Sequence, residues 1–182
     1  MDTFKNKKAL VTGASIGIGK AIAIDLATKG AELILTARSQ EQLESLANAI
    51  EEKGGKAHVF LEDLAQPGSA ARLHQQITAA NLKVDLLINN AGYGRWGQFR
   101  DFQRDDYANM IQLNITSLTD LCHLFLPAMV EKGEGGVINI GSSASFLPVP
   151  YASVYSSTKA YVLMFSEALR YEYSDSNVRI MA

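Results

Sequence analysis

The sequence predicts a doubly wound α/β fold of the Rossmann type, a parallel sheet in three α/β/α layers. Short apolar runs alternate with longer segments of helical period along the whole chain, which is the pattern of successive βαβ units. Several of the runs are apolar at consecutive positions, as strands covered on both faces must be. The first run also passes straight into a glycine-rich turn that opens a helix.

Taken in order, the first strand is expected at 9–12 and the first helix at 17–29, with Gly30 as its stop. A second strand at 32–36 leads to a helix at 40–53, ended by Gly54 and Gly55. The run at 57–60 and the helical pattern at 67–80 form the third unit, and 84–88 is the fourth strand. An irregular stretch from Gly92 to Phe102, rich in glycine and aromatics, follows that strand's carboxyl end, where open α/β sheets bind ligands. A long helix at 104–131 stops near Gly133, a fifth strand falls at 136–140, a last helix at 153–174, and a final strand at 178–181. No repeat, low-complexity tract or linker interrupts the series, so residues 1–182 read as one domain.

Composition narrows the function classes. At 47% hydrophobic and 20% charged, the 182 residues are ordinary globular material with enough apolar content for a sizeable core. Seventeen Lys and Arg against 19 Asp and Glu, without long like-charge blocks, point to neither a nucleic-acid surface nor an anionic membrane. Cys122 is the only cysteine and sits among Leu121, Leu124 and Phe125, which reads as a buried thiol in a reducing compartment, with the cytoplasm as default. No run reaches 18 consecutive apolar residues and no signal-peptide pattern opens the chain, so no membrane span is expected. No metal is expected either.

Two motifs carry chemistry. The turn Thr12-Gly13-Ala14-Ser15-Ile16-Gly17-Ile18-Gly19 follows a strand and opens a helix. One glycine there permits a backbone angle closed to other residues, a second leaves room for a pyrophosphate, and a third lets helix and strand approach closely. The helix N-terminus then offers free N–H groups to the anion, although a plain tight turn uses the same residues. The second motif is Tyr155 with Lys159, at i and i+4 of the last long helix, which puts a phenol and an ammonium on one face. A fixed cation favours the phenolate, so Tyr155 is placed to exchange a proton with a carbonyl or alcohol oxygen. Taken alone, the pair also fits a solvated helical face.

Together these motifs resemble the short-chain dehydrogenase/reductase family. The turn has the spacing Thr-Gly-x3-Gly-x-Gly, Asn89-Asn90-Ala91-Gly92 closes the fourth strand, Asn114 lies in the following helix, and Ser142, Tyr155 and Lys159 stand in matching order and spacing. The resemblance covers the chain from Lys8 to Ala182. It implies a nicotinamide cofactor and hydride transfer, with Tyr155 as acid/base and Ser142 holding the substrate oxygen. Lys159 would serve Tyr155 by its charge and hydrogen-bond the nicotinamide ribose. Asn114 would hold a water linking Lys159 to solvent, unless it is simply an exposed polar position. Ser15, Ile16 and Ile18 of the turn, together with Asn90, Ala91 and Gly92, are implied as cofactor contacts. Asp63 and Leu64 are implied to bracket adenine, although Asp63 also suits a turn carboxylate. By the same resemblance the two long helices pair across a two-fold axis into homodimers or homotetramers, carrying Leu118, Phe125, Tyr161, Phe165 and Leu169 as apolar surface beyond what one sheet face needs.

The cofactor's adenine end is chosen by the residues after the second strand. Thr36-Ala37-Arg38-Ser39 offers no carboxylate for a ribose 2′-hydroxyl, whereas Arg38 matches a 2′-phosphate, so NADPH is favoured over NADH. A solvated arginine at a strand end is the plainer alternative. Tyr93, Trp96, Phe146, Leu147 and Tyr151 fall in segments flanking Tyr155 and predict an apolar pocket for a small carbonyl or alcohol. Ser143 is expected to point away from Ser142 if the strand continues that far. Family members continue past a sixth strand into a nicotinamide turn, a substrate loop and a seventh strand, so the chain is expected to be C-terminally incomplete, its cofactor site better preserved than its substrate site. The alternative function is a dinucleotide-binding sensor without turnover.

Overall fold

The structure is a computed structural model, and it describes residues 4–182. Six parallel strands form one sheet: β1 (Lys8–Thr12), β2 (Glu32–Ala37), β3 (Lys56–Leu61), β4 (Leu86–Asn89), β5 (Gly135–Asn139) and β6 (Val178–Met181). Their order is β3-β2-β1-β4-β5-β6. The chain therefore winds outward from β1 in one direction, returns, and winds outward in the other from β4. At that reversal the connections leave to opposite faces, and a crevice opens above the carboxyl ends of β1 and β4.

Helices α1 (Gly17–Thr28) and α2 (Gln40–Glu51) cover one face. They bury Ala23, Leu26, Leu43, Leu46 and Ile50 against Ala9, Val11, Leu33 and Leu35. On the other face lie α3 (Ser69–Ala79), α5 (Leu118–Lys132) and α6 (Ser153–Glu172), whose side chains join Leu10, Ile34, Leu87 and Val137. Successive residues at the centres of β1 and β2 thus serve opposite cores, which is why Ala9–Val11 and Leu33–Leu35 are apolar at consecutive positions. In β6 the alternation returns, with Val178 and Ile180 buried and Arg179 and Met181 exposed.

Every expected strand and helix is present, with three local differences. Val84 and Asp85 precede β4, where Asp85 accepts a hydrogen bond from Lys8 N at 2.9 Å and pairs with Lys132. The strand-like segment ends at Asn139, and Ser143–Ser145 turns into a 3₁₀ helix rather than continuing extended. The long helix is broken in register: α4 (Arg104–Ile111) passes through a π-helical segment, Gln112–Ser117, into α5. Arg104–Lys132 is also long and apolar enough, by length and composition, to cross a membrane, which a search for uninterrupted apolar runs misses. In this fold Leu121, Phe125 and Met129 of that helix are buried against the sheet.

Leu118 and Phe125 belong to the core, so these two are not the surplus apolar surface that the sequence suggested, while Phe165 and Leu169 pack against the core half-buried. The periodicity of a buried face and of an interface is the same. The large exposed apolar side chains on these helices are Ile111, Met164 and Tyr171. Cys122 is buried as expected, and burial pushes its thiol up to about 12.

Candidate active site

The glycine turn is built by steric exclusion. Gly13 and Gly17 have φ of +63° and +57°, the left-handed region that L side chains rarely adopt. Gly19 is required for a different reason: a Cβ there would meet Gly13 O and Asn90 Nδ2 at 2.4 Å each. Asn90 clamps the turn from β4, its amide donating to Thr12 O at 2.9 Å and Gly13 O at 3.2 Å. Thr12 Oγ1 in turn accepts from the backbone N–H groups of Asn90 and Ala91, both at 3.0 Å. The N-cap residue of α1, Ile16, supplies no side-chain cap, and the first turn holds no acidic residue. The first N–H groups of α1 and its positive dipole end are thus left for an external acceptor.

A cleft of about 460 Å³ runs over the carboxyl ends of the strands. Gly13, Ser15, Ile16 and Ile18 line its middle. Arg38, Asp63 and Leu64 line the end above β2 and β3, while Ala91, Gly92, Tyr155 and Lys159 line the end above β4 and β5. Asn90 also borders it, but its N–H groups are spent on the turn. Gly17, Gly19, Ser142 and Asn114 stand outside the lining. Asp63 is both a turn carboxylate and a cleft residue, accepting from Ala65 N at 3.1 Å and Gln66 Nε2 at 3.2 Å. Sequence reasoning missed Ser39, Gln42 and Glu62 at the Arg38 end. Residues 36–39 supply no carboxylate, as expected, but Glu62 brings one to this end beside Asp63 from the end of β3.

At the other end Tyr155 and Lys159 share a face of α6, with Lys159 Nζ 6.0 Å from the Tyr155 ring centre. Lys159 donates to Ile140 O at 2.7 Å. Burial pulls its ammonium below the ordinary lysine range. Asn114 is 1% exposed, so the exposed-polar alternative does not hold. Its Oδ1 accepts from Tyr93 N at 3.1 Å, while Nδ2 donates to Tyr93 O at 2.9 Å and Thr158 Oγ1 at 3.0 Å. Thr158 Oγ1 donates to Tyr155 O at 2.7 Å. Both side-chain N–H groups of Asn114 are therefore engaged by protein, and the π-helical segment is what turns this residue inward toward α6. Thr158, the link between them, carries no sequence signal of its own.

Ser142 caps the 3₁₀ turn, its Oγ accepting from Ala144 N at 3.1 Å. That leaves its hydroxyl hydrogen to donate elsewhere. Ser145 Oγ accepts from Ser142 N at 3.2 Å and fixes the turn, and Ser143 is exposed. Of the aromatic and apolar residues expected to flank Tyr155, Trp96 and Phe146 are 63% and 75% exposed, and Leu147 and Tyr151 are exposed as well. Trp96 packs on the Tyr155 ring at 5.9 Å between centroids. Tyr93 departs from this group: it lines the cleft and donates its hydroxyl to Asp106 O at 3.1 Å.

Gly94 is a second missed residue. A Cβ at Gly94 would lie 2.8 Å from Tyr155 Cδ2 and 2.9 Å from Cγ. Gly94→Ala is expected to push the ring out of place and lower kcat by about 10²-fold, the scale for a misplacement near 1 Å. Dinucleotide affinity should hold, because Gly94 does not line the cleft. Steady-state kinetics with a parallel binding titration reads the two apart, and an unchanged kcat would show that the ring tolerates the methyl.

A protein-family model described as short chain dehydrogenase matches residues 7–182. The chain is 36% identical over 180 residues to the ketoacyl reductase HetN of Nostoc sp., covering 99% of this chain and 63% of that protein. It is 39% identical over 178 residues to a fatty acyl-CoA reductase of Acinetobacter baylyi, covering 94% and 59%. Among solved structures, a short-chain dehydrogenase from Sphingobium yanoikuyae in complex with NADPH superposes with a TM-score of 0.91 at 35% identity, over 97% of this chain and 69% of that one. The chain thus spans about three fifths of the length of these two curated relatives.

Proposed function

This chain belongs to the short-chain dehydrogenase family, and on that premise we propose that it is an NADP-dependent oxidoreductase interconverting a carbonyl and a secondary alcohol. The observation that carries the reading is one cleft with an uncapped helix N-terminus at its middle, Arg38 at one end, and the Tyr155/Lys159 pair at the other. A dinucleotide fits this set. Its pyrophosphate matches the free N–H groups of α1, and the tight Gly13–Gly19 approach leaves no side chain in the way. Arg38 suits a 2′-phosphate, and the solved relative is likewise held with NADPH. NAD is the lesser alternative. When bound, the cofactor supplies or accepts the hydride.

The chain's own residues manage orientation and one proton. Ser142, with its hydroxyl hydrogen unspent, donates to the substrate oxygen, and Tyr155 gives or takes the proton there. Among the described residues none hydrogen-bonds the Tyr155 hydroxyl, so that group is available for this exchange. Lys159, fixed by Ile140 O, places a positive charge behind the phenol and keeps donors for the ribose. Asn114 holds α6 and the Tyr93 segment together and thereby positions Tyr155. The exposed rim of Trp96, Phe146, Leu147 and Tyr151 favours an apolar small-molecule substrate, in keeping with relatives named for acyl substrates. Exposed Ile111, Met164 and Tyr171 support a homodimer or homotetramer through α4 to α6, and the inert buried thiol suits the cytoplasm.

Following NADPH absorbance with a panel of ketones, aldehydes and diketones tests the activity, with cofactor binding measured beside it. Binding without turnover on any of them would favour the sensor reading, and no binding would sink both. Arg38→Asp is expected to swing the NADPH-to-NADH ratio of kcat/KM by about 10²-fold, since it removes a charge-assisted phosphate contact and adds a hydroxyl acceptor. An unmoved ratio would place the phosphate elsewhere.

A further inference from the structure

Arg72, Arg95, Arg104 and Arg170 each pair with a carboxylate, whereas Arg38, like Arg100 and Arg179, makes no ion pair among the described residues, and of those three it alone borders the cleft. Topology offers it a partner. In the parallel pairing of β2 and β3, Ala37 stands opposite Leu61, and Glu62 N donates to Ala37 O at 3.3 Å. The next residues along the two chains, Arg38 and Glu62, therefore leave adjacent strand ends side by side and border the same end of the cleft. An arginine and a glutamate so placed ordinarily attract each other.

Glu62 is held elsewhere. Its carboxylate lies in the fork of Arg72, with Nη2 to Oε1 at 2.8 Å and Nε to Oε2 at 3.3 Å, and its side chain is only 9% exposed. Arg72 is anchored from behind by a third bond, Nη1 to Pro67 O at 3.0 Å. It stands in the first turn of α3, which begins after Gly68 in the left-handed region. A two-toothed guanidinium–carboxylate contact of this kind fixes orientation as well as charge. Without it, this end of the cleft would hold one cation, Arg38, against two carboxylates, Glu62 and Asp63.

We propose that Arg72 is a specificity-determining residue of the cofactor site: by occupying Glu62 it leaves Arg38 free to take the 2′-phosphate of NADPH. The inference rests on the NADP reading above. With Arg72 present the charges at this end balance and a phosphate can approach Arg38. With Arg72 removed, Glu62 pairs with Arg38, cancels the phosphate contact and presents a carboxylate that accepts from a ribose 2′-hydroxyl.

The test is a binding titration of the full chain with NADPH and with NADH, for the parent, Arg72→Met, and Arg72→Met combined with Glu62→Gln. Arg72→Met should weaken NADPH by about tenfold or more, the scale of one hydrogen bond between charged groups, and leave NADH unchanged or tighter. Adding Glu62→Gln should bring NADPH affinity back to within about threefold of the parent, because the competing carboxylate is gone. Equal weakening of both cofactors by Arg72→Met, with no rescue in the double variant, overturns the proposal and leaves Arg72 a structural brace. Arg72→Lys, which keeps the charge but loses the fork, covers the case in which the methionine variant does not fold, and its NADPH-to-NADH ratio should fall between parent and the ratio for equal affinity. A parent that binds NADH but not NADPH instead defeats the NADP reading itself, and the proposal with it.

Discussion

Tyr155→Phe is expected to lower kcat by about 10² to 10⁴-fold, the range for losing a general acid/base, while the dissociation constant for NADPH stays within about threefold of the parent. The substitution deletes one hydroxyl and nothing else. The ring keeps its packing against Gly94 and Trp96, and α6 keeps its tie to Asn114 through Thr158. No hydrogen bond to a described residue is lost with the hydroxyl, so the fold should not respond. Single-turnover rates separate the chemical step from product release, and a cofactor titration supplies the control. A variant that turns over at the parental rate would remove Tyr155 from the proton path.

Lys159→Met is expected to reduce kcat by at least about 10²-fold and to weaken NADPH as well, since the ammonium serves both phenol and ribose in the proposed mechanism. It should do so without unfolding the protein. Burial holds the Lys159 ammonium below its ordinary value of 10.5, so the folded state binds this proton less tightly than the unfolded chain does. Below the folded value the residue is charged in both states, and folding carries the full cost of burying that charge. The cost fades as pH rises through the folded value toward 10.5, so this group favours folding more at alkaline pH than at neutral pH. Methionine removes the charge, and with it the cost, at the price of the bond to Ile140 O. At neutral pH the variant's Tm should therefore match or exceed the parent's, with that margin shrinking as pH rises. A variant that melts well below the parent at neutral pH would mean that the Ile140 contact outweighs the buried charge.

Much of the site was legible because its parts are local in the chain. The glycine turn lies within eight consecutive residues, 12–19, and its φ values follow from backbone sterics alone. Tyr155 and Lys159 meet because α6 is helical, which fixes the i, i+4 relation without reference to anything else. Arg38 was placed by counting from the end of β2, and it lines the cleft. The readings that needed correction depended on distant partners. Asn114 was expected to hold a water with its amide and backbone. Tyr93 and Thr158 take both side-chain N–H groups once the π-helical segment turns it inward, which withdraws those two donors from that role and leaves the backbone share of the expectation open. Leu118 and Phe125 were read as interface surface, whereas they complete the core.

By itself the sequence determined the alternation of strands and helices, the apolar strands that require cover on both faces, and the two short motifs. Each of these follows from steric and periodic rules acting over a few neighbouring residues. Tertiary structure alone decided that Gly94 lies under the Tyr155 ring, that Thr158 joins α6 to Asn114, and that Glu62 answers to Arg72 rather than to Arg38. These contacts join residues on different loops and helices. They exist only after strand register and crossovers bring the carboxyl ends of the sheet together, and no local periodicity records which side chain will then be nearest.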